Sequence, residues 1–569
     1  MNGSASPTAH RHLRPGEEDD FVFETSETGV PALESGVPDP DRASPAPAGL
    51  AAALLAIGGA AVVLAALPYK TFDLDRFFIP KELVLFAVAS LAAVLLLARA
   101  RRLVFGWADL FLAAFLAISI VSTLFATNHW LAFRALGVSL AGGAVFWSAR
   151  AISGSRARGL LVSALAAATV LASATALAQA YGWETELVSL NRAPGGTLGN
   201  RNFVAHLAAI GIPALLYLAL SARTFIALLL SALGIAVSIG ALVMSRTRAA
   251  WLALAVTVGV LAMLLFSRRR VIGGARATRR MLFVAIVAAI GAGAALSLPN
   301  RLNWRSENPY LETAAGLVNY REGSGRGRLI QYRNSVKLVL RNPILGVGPG
   351  NWSVAYPRVA SPNDPSLGND GMTSNPWPSS DWVGFLAERG VFGFALLLLA
   401  MVTLALGALW RFVRAPTGEE ALLALALGGT VLATVLVGAF DAVLLLGAPA
   451  LIAWGLIGAL TGNGSVRWGR AFPDARRRTA TLVTAVIGGL LVLRGVGQAV
   501  AMATYDASSR TASLERAALL DPGSYRIRIR AAEQQLSRGN CKRARLHAQA
   551  ARDLYPYAPA PKRVLRQCR

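Results

Sequence analysis

Four short polar stretches interrupt a very apolar chain, and they carry the residues whose types could do chemistry. Their side chains of interest are Asn200, Arg201, Arg246, Arg248, Arg326, Arg328, Ser379, Asp381 and Glu388. Guanidinium groups bind phosphate oxygens in a bidentate manner, and a partly desolvated carboxylate can act as a general base. The residue types therefore indicate a site for an anionic ligand with acid–base groups beside it.

The arginines carry most of this hypothesis. An arginine inside a bilayer costs about 2.5–3.5 kcal/mol on insertion scales, so it normally faces a cavity or an anionic partner. Arg246 could reach the interface by snorkelling, whereas Arg248 lies further into the start of a helix. Arg326 and Arg328 precede PILGVGPGNW at 343–352, a glycine-rich turn whose backbone amides could approach an anion. No Gly-Lys-Ser/Thr follows that turn, so it is not a nucleotide-binding P-loop.

Some of these residues also have a structural explanation when taken singly. Asn200 and Asn202 can cap the helix that follows them. Asp381, which follows two serines, can likewise stabilise the start of a helix. Composition and spacing alone leave both the structural and the functional interpretation open.

The elements that must position these residues are membrane spans. The chain has 569 residues, 54% hydrophobic and 15% charged, with a mean hydropathy of +0.50. Soluble domains carry about 25% charged residues, and roughly 17–25 apolar residues cross a bilayer core. We predict an all-α polytopic membrane protein of about 12–13 transmembrane helices. The apolar runs lie at about 49–67, 82–98, 107–126, 132–149, 159–180, 203–220, 223–243, 249–266, 280–298, 382–410, 419–440, 442–461 and 479–500.

Charge in the loops predicts the orientation. The net charge of +25 sits mostly in short loops between apolar runs, so topology explains it better than nucleic-acid binding does. The basic loops 99–102, 148–158, 267–280 and 465–478 all become cytoplasmic if the N-terminus is cytoplasmic. The other face, the periplasm of a bacterium, then receives loops 68–81, 181–202 and 244–248, the long loop 299–381 and everything after residue 500. All four polar stretches fall on that face.

The two ends of the chain differ from the membrane domain at 49–500. Residues 1–48 are rich in Pro, Ala, Ser and Gly, which predicts a disordered cytoplasmic tail. The first apolar run starts too far along the chain for a cleavable signal peptide. At 505–569, Pro522 and Pro556 are separated by the period of a tetratricopeptide (TPR) repeat, which predicts a small periplasmic helical segment that docks a protein partner. A helical cap without repeats is the alternative. Cys541 and Cys568 would there meet an oxidising compartment, where a disulfide is plausible.

The polar stretches together resemble the bacterial O-antigen ligase and O-antigen polymerase family over about residues 190–460. GTLGNRNF at 196–203 is similar to a family loop, with Arg201 in place of proline. TRAAWLAL at 247–254 is similar to a family helix start and aligns Arg248 with the family arginine. RLIQYRN at 328–334, followed by PILGVGPGNW, is similar to the most diagnostic segment, with Arg328 in place and Tyr332 where tryptophan is usual.

The resemblance implies a metal-independent glycosyltransferase of the inner membrane that needs no cofactor. Its donor would be a glycan on undecaprenyl pyrophosphate, its acceptor a lipid or glycan hydroxyl at the periplasmic face. Arg248 and Arg328 would hold the pyrophosphate and stabilise the charge on the leaving group. Ligase, polymerase and protein O-oligosaccharyltransferase activities share these motifs, so the sequence leaves the choice open.

The sequence departs from the family pattern in the segment that carries the family's catalytic residues. The segment at 379–390, SSDWVGFLAERG, keeps Asp381, Trp382, Glu388 and Gly390, but Ser379 stands where the family usually has a histidine. Serine cannot act as a base near neutral pH without a partner. Three hypotheses follow: Asp381 or Glu388 deprotonates the acceptor, the arginines suffice while Ser379 donates a hydrogen bond to phosphate, or the protein is an inactive or repurposed member of the family.

Other assignments are weaker. His206, inside a span, and His129, in a short outer loop, could replace the missing histidine. Asp73 and Asp75 have a spacing that could hold a divalent cation, but neighbouring cations favour a plain charged loop. A transporter would place its charges near the membrane midplane, where Asp441 is the one candidate. A non-catalytic scaffold of a polysaccharide-assembly complex is the remaining alternative.

Overall fold

The apolar runs become long helices, because a backbone that crosses lipid must satisfy its hydrogen bonds internally. The computed structural model describes residues 45–569 except 153–154, 305, 318, 320–321, 369, 463–465, 508–509 and 569. The predicted disordered tail lies outside the described residues up to residue 44. The first elements are α1 (Pro45–Leu64), α2 (Asp75–Leu97), β1 (Arg102–Phe105), α3 (Trp107–Leu124), α4 (His129–Ala151), α5 (Ser155–Ala180), α6 (Arg201–Ser221), α7 (Phe225–Ser245), α8 (Arg248–Ser267), α9 (Arg269–Ile272) and α10 (Gly274–Ser297). The remaining elements are α11 (Pro309–Ala315), α12 (Gly323–Arg341), α13 (Trp352–Ala355), α14 (Asp381–Arg414), α15 (Gly418–Gly438), α16 (Gly447–Thr461), β2 (Trp468–Ala471), α17 (Asp474–Ala507), α18 (Thr511–Leu520), α19 (Tyr525–Ser537), α20 (Cys541–Leu554) and α21 (Pro559–Gln567).

Twelve helices within the described part of the chain are long and apolar enough to cross a membrane. The prediction of an all-α polytopic membrane protein is therefore confirmed. These helices are α1 to α8, α10, α14, α15 and α17.

The thirteenth predicted span, 442–461, is shorter than expected. Its helix, α16, has 15 residues and begins only at Gly447. The preceding backbone N–H groups, those of Val443, Leu444 and Leu445, donate to the carboxylate of Asp381 at 3.0, 2.8 and 3.3 Å. Those residues therefore lie in a connection, and the short helix that follows is buried along its whole length by protein.

The membrane-spanning helices differ in how much of their surface other parts of the protein cover. In α6 and α15, 83% and 78% of the span is buried inside the protein, against 11% in each of α10 and α17. Small residues permit close helix contacts, as where Gly458 of α16 packs on the backbone carbonyl of Phe146 in α4. At the N-terminus of α6, Asn200 and Arg201 are half-buried.

The basic loops gather at one end of the bundle. Strands β1 and β2 form a two-stranded antiparallel sheet that joins the loops after α2 and α16. Arg268 donates to the carbonyls of Val413 and Ala415, and Arg411 donates to that of Thr461 at 3.0 Å. Loops that the charge pattern assigns to one face are thus in contact, and the assignment of that face to the cytoplasm stays a prediction.

The C-terminal helices α18 to α21 dock on the opposite end of the bundle. Asp521 accepts a hydrogen bond from Arg494 of α17 at 3.2 Å, and the Arg494 guanidinium lies 4.6 Å from the ring centroid of Trp130. Phe72 and Tyr505 pack edge to face with centroids 5.0 Å apart. The helices α18 to α21 are therefore part of the folded body on the face that carries the long loop, and the TPR assignment stays a prediction.

Candidate functional site

Asn202 joins the starts of two transmembrane helices to the connection before α16. Its Nδ2 donates to Asp441 Oδ2 at 3.1 Å, and its Oδ1 accepts from the Thr247 hydroxyl at 3.2 Å. Asn200 caps α6 by accepting from the backbone N–H of Asn202 at 3.0 Å, which is the structural role that its position allowed. The first and second polar stretches and Asp441 thus meet at one mouth of the bundle.

Arg248 occupies the edge of this mouth. Its Nη1 donates to the carbonyl of Gly316 at 2.7 Å and lies 3.4 Å from that of Asn319. The side chain is half-buried. Arg248 therefore fixes the long loop over the mouth.

Arg201 and Arg246 share one aromatic ring. Their guanidinium carbons lie 5.0 and 4.8 Å from the ring centroid of Trp304, within the range of a cation–π contact. Arg246 also donates through Nε to the Thr313 hydroxyl at 2.9 Å and lies 3.7 Å from Glu312. Two like charges are thus held close enough to repel each other, an arrangement that favours an anion between them.

The sequence did not single out Trp304. A tryptophan in a polar outer loop that also contains Glu312 and several arginines is a signal that could have indicated it. The two arginines that contact Trp304, however, come from two other segments of the chain. Its indole Nε1 is buried and has no hydrogen-bond acceptor among the residues that the structure describes.

Arg328 lies in the first half of α12. It interacts electrostatically with His206, which lies one turn beyond Asn202 in α6 and also interacts with Asp441. Arg328 is half-buried and has no hydrogen bond or ion pair within the described ranges, whereas Arg326 is exposed to solvent. Arg328 lies one turn before Tyr332, whose hydroxyl lies 3.2 Å from the carbonyl of Ala439, two residues before Asp441. The role of Arg328 beside Arg248 stays a prediction, and Arg326 is exposed.

His206 is an unusual occupant of the membrane domain. The residue is fully buried, and neither ring nitrogen has a hydrogen-bond partner in the described part of the chain. His129 lies instead at the start of α4, where its ring is 3.4 Å from the carbonyl of Leu124. Only the first of these histidines therefore lies near the candidate site.

Ser379 is held by the helix that carries Arg328. Its backbone N–H donates to Gln331 Oε1 at 2.6 Å, and its carbonyl accepts from the Tyr332 hydroxyl at 2.5 Å. That hydroxyl also lies 3.2 Å from the carbonyl of Ala439. Tyr332, which replaces the usual tryptophan of the family, thus ties α12 to the segment before α14 and to the end of α15.

Asp381 is buried and fully engaged with the backbone. Its two carboxylate oxygens accept the three N–H groups that precede α16, and its own N–H donates to the carbonyl of Asp441 at 3.2 Å. Ser380 caps α14 by accepting from Val383 N at 3.4 Å. The geometry favours a structural role for Asp381, and its proposed catalytic role stays a prediction.

Glu388 is likewise buried and paired inside the protein. Its Oε2 accepts from Arg389 Nη1 at 2.8 Å, and its Oε1 faces the backbone N–H of Trp352 at 3.4 Å. Arg389 also lies over the ring of Phe385, with 4.8 Å to the centroid. The carboxylate therefore supports the glycine-rich turn from beneath, and its catalytic role too stays a prediction.

The glycine-rich turn wraps around a kink in α14. Gly346 and Gly348 have φ angles of 67° and 94°, which favour glycine, and the kink at Gly390 has a φ of 71°. The N–H groups of Val347 and Gly348 donate to the carbonyls of Ala387 and Glu388 at 3.0 and 2.9 Å. The hypothesis that the amides of this turn approach an anion is wrong for these two groups, because they are already used within the protein.

Asp364 organises the rest of the long loop against α12. Its Oδ2 accepts from Asn334 Nδ2 and from the Tyr356 hydroxyl, each at 2.8 Å. Burial and the bond to Asp364 raise the pKa of the Tyr356 phenol, which stays protonated and able to donate. The turn and the loop are therefore a rigid support for the mouth.

The outer carboxylates Asp73 and Asp75 pair with different arginines. Asp75 lies 3.0 Å from Arg134, and Asp73 lies 4.0 Å from Arg192. Within the described ranges, no three His, Cys, Asp or Glu side chains are grouped so that they could hold a metal ion.

Part of this region matches the model of a known protein family. Residues 233–398 match the family model described as O-antigen ligase, while a search of curated proteins finds no match. The matched segment contains Arg248, Arg328 and Ser379 to Glu388, and it includes the whole long loop. The protein is therefore a multi-pass membrane protein with an O-antigen-ligase-like segment at 233–398, which supports a membrane glycan ligase or polymerase.

Proposed function

We propose that the protein transfers a glycan from undecaprenyl pyrophosphate to an acceptor hydroxyl at the periplasmic face of the inner membrane. The observation that carries this proposal is the position of Arg248 and Arg328. Both lie in the segment that matches the O-antigen ligase model. Arg248 follows Thr247, which contacts Asn202 at the start of α6, and Arg328 lies one turn before Tyr332, which contacts Ala439 at the end of α15. Two cations at a protein-enclosed site suit a pyrophosphate.

The reaction needs charge stabilisation above all. The acceptor oxygen forms a bond to the anomeric carbon of the glycan, while the bond from that carbon to the phosphate oxygen breaks. The electron pair of the broken bond stays with the lipid pyrophosphate. In this proposal Arg248 and Arg328 stabilise that developing charge, and the stacked pair Arg201 and Arg246 extends the positive site without a metal ion.

The hydroxyl proton must also leave. The carboxylates of Asp381 and Glu388 already accept hydrogen bonds from backbone N–H groups or from Arg389. We therefore assign them to holding the connection before α16 and the glycine-rich turn in place. The proton then passes to a phosphate oxygen of the leaving group, and Ser379 donates a hydrogen bond to that group.

A non-catalytic scaffold is the second candidate. It is favoured by the engagement of both carboxylates within the protein and by the docked helices α18 to α21, which offer a surface to a periplasmic protein partner. A protein O-oligosaccharyltransferase would use the same mouth with a protein hydroxyl as acceptor. Genetic tests separate these functions.

The test uses a strain that lacks the gene, followed by complementation. We expect Arg248→Ala and Arg328→Ala to fail to restore surface polysaccharide on gels, whereas Arg333→Ala on the exposed face of α12 restores it. Full-length glycan from both mouth variants would contradict the pyrophosphate site. If the protein were only a scaffold, the two variants could fail to restore polysaccharide only by losing assembly with their protein partners. Immunoblots and pull-downs would reveal that loss.

The deletion strain also separates the reactions. Accumulated single repeat units would indicate a polymerase, and accumulated long lipid-linked chains would indicate a ligase. Loss of glycosylated protein with unchanged surface polysaccharide would indicate transfer to protein.

A further inference from the structure

The last two helices, α20 and α21, carry an unusually one-sided charge. Residues 541–568 contain seven Lys and Arg side chains and a single carboxylate, Asp553. All seven cations are exposed. They are Lys542, Arg543, Arg545, Arg552, Lys562, Arg563 and Arg566.

Few of these charges are neutralised within the protein. Arg543 pairs with Glu515 of α18 at 2.5 Å. The other six have no ion pair among the residues that the structure describes. The disulfide between Cys541 and Cys568 joins the start of α20 to the end of α21, so the cations are concentrated on a small, cross-linked unit. Like charges held this close repel each other unless an anionic partner is present.

Topology does not account for this charge. The positive-inside rule explains the four basic loops, which lie at the opposite end of the bundle from α20 and α21. If those loops are cytoplasmic, the cationic helices face the periplasm, where nucleic acid is not an expected partner. A periplasmic polyanion is the remaining class.

The apolar residues of α20 argue against a lipid surface as that polyanion. A helix that lies on a membrane exposes an apolar face beside its cations. Here the apolar face, which includes Ala544, Ala548 and Ala551, is buried against the neighbouring helices, and Leu546 is the large apolar side chain of α20 left exposed. The surface is therefore suited to a soluble, extended anion.

The cationic unit lies against the long loop. The carbonyl of Leu554 accepts from Asn128 Nδ2 at 3.3 Å, and the Asn128 N–H donates to Asn351 Oδ1 at 2.7 Å. Asn351 belongs to the glycine-rich turn, and Pro559 at the start of α21 packs against Gly371. An anion bound on α20 and α21 would consequently lie beside the loop that covers the mouth.

We propose that α20 and α21 bind an acidic polysaccharide, a glycan chain that bears carboxylate groups, and hold it next to the candidate transfer site. The proposal rests on the proposed function for the identity of the anion as a glycan. The exposed cations supply several weak contacts along a chain, so binding is multivalent and sensitive to salt.

The test measures binding, not transfer. Full-length protein in phosphatidylcholine nanodiscs is titrated with polygalacturonate and, separately, with neutral dextran of similar length. We expect binding of polygalacturonate that weakens with added salt, and no binding of dextran. The variant Arg545→Gln/Arg552→Gln should bind roughly three- to tenfold more weakly, as expected for the loss of two exposed charge contacts.

A matched control removes the same charge elsewhere. Arg269→Gln/Arg270→Gln changes two exposed arginines of a basic loop at the other end of the bundle, and it should bind polygalacturonate as the unmodified protein does. Equal weakening in this control, or no binding by the unmodified protein, would overturn the proposal. Flotation with phosphatidylglycerol vesicles that depends on Arg545 and Arg552, without polygalacturonate binding, would also overturn it in favour of lipid.

The outcome is separable from that of the proposed function. Arg248→Ala and Arg328→Ala should retain polygalacturonate binding even where transfer is lost. If the protein bound polysaccharide but was shown not to transfer glycan, the binding proposal would be supported and the proposed transferase function would be contradicted.

Discussion

The Asp381 carboxylate accepts three backbone N–H groups from a connection about 60 residues further along the chain. We expect Asp381→Asn to lower the thermal stability of the detergent-solubilised protein, because an amide can accept at one position only and its NH₂ group would face a backbone N–H. The loss should be about 1–3 kcal/mol, the range for an unsatisfied buried group. The measurement is a melting curve alongside transfer activity per folded molecule. Lost activity with an unchanged melting temperature would instead make Asp381 catalytic.

Trp304 is the second residue whose role depends on distant partners, since it holds Arg201 and Arg246 on its ring. We expect Trp304→Ala to weaken binding of the lipid-linked donor roughly five- to thirtyfold, because two cation–π contacts of about 0.5–1 kcal/mol each position the anion-binding guanidinium groups. The KM for the donor should rise more than kcat falls. Trp304→Phe keeps an aromatic ring and serves as the control. Normal donor binding by Trp304→Ala would contradict the role of Trp304 in positioning the two arginines.

At the scale of the element, α14 is bent by one glycine. Gly390 has a φ of 71°, and a Cβ there would meet the backbone carbonyls of Pro343 and Ile344. We expect Gly390→Ala to destabilise the protein by more than about 1 kcal/mol, since both the conformation and the contact resist a side chain. The N–H of Val391, which donates to Pro343 at 2.8 Å, should exchange faster with solvent in this variant.

Gly407 provides the matched control in the same helix. A Cβ at Gly407 would meet nothing within 4 Å, and its backbone is helical. Gly407→Ala should leave stability unchanged or raise it slightly. Equal destabilisation of both variants would mean that the kink has no special role in holding the glycine-rich turn.

For the whole molecule, the two ends of the bundle differ in charge and in contacts. We expect alkaline phosphatase fused after residue 569 to be active, because the C-terminal helices lie on the face opposite the basic loops and folding of the reporter needs an oxidising compartment. The same reporter fused at Gly273, in a basic loop, should be inactive. An inactive reporter after residue 569 and an active one at Gly273 would indicate the opposite orientation, and the candidate site would then not face the periplasm.

The transmembrane helices could be predicted from the sequence because hydropathy is a local property. The grouping of basic loops also followed from a local count, and the structure brings those loops into contact. The prediction failed where long-range hydrogen bonds decide. Residues 442–446 are as apolar as any span, yet they lie outside a helix, and the N–H groups of Val443, Leu444 and Leu445 donate to Asp381. The order of the motifs indicated Arg248 and Arg328, whereas the sequence contained no signal that Arg326 points to solvent.

The sequence by itself determined that this is a multi-pass membrane protein with arginine-bearing polar stretches, because composition and charge act along the chain and need no partners. Only the tertiary structure decided how those stretches are used. It showed Asp381 and Glu388 bound within the protein, Arg201 and Arg246 on Trp304, and Tyr332 of α12 in contact with Ser379 and Ala439. Apart from the pair of Glu388 with its neighbour Arg389, these contacts join segments distant in sequence. A hydrogen bond or a cation–π contact depends on distance and direction, which local pattern does not encode.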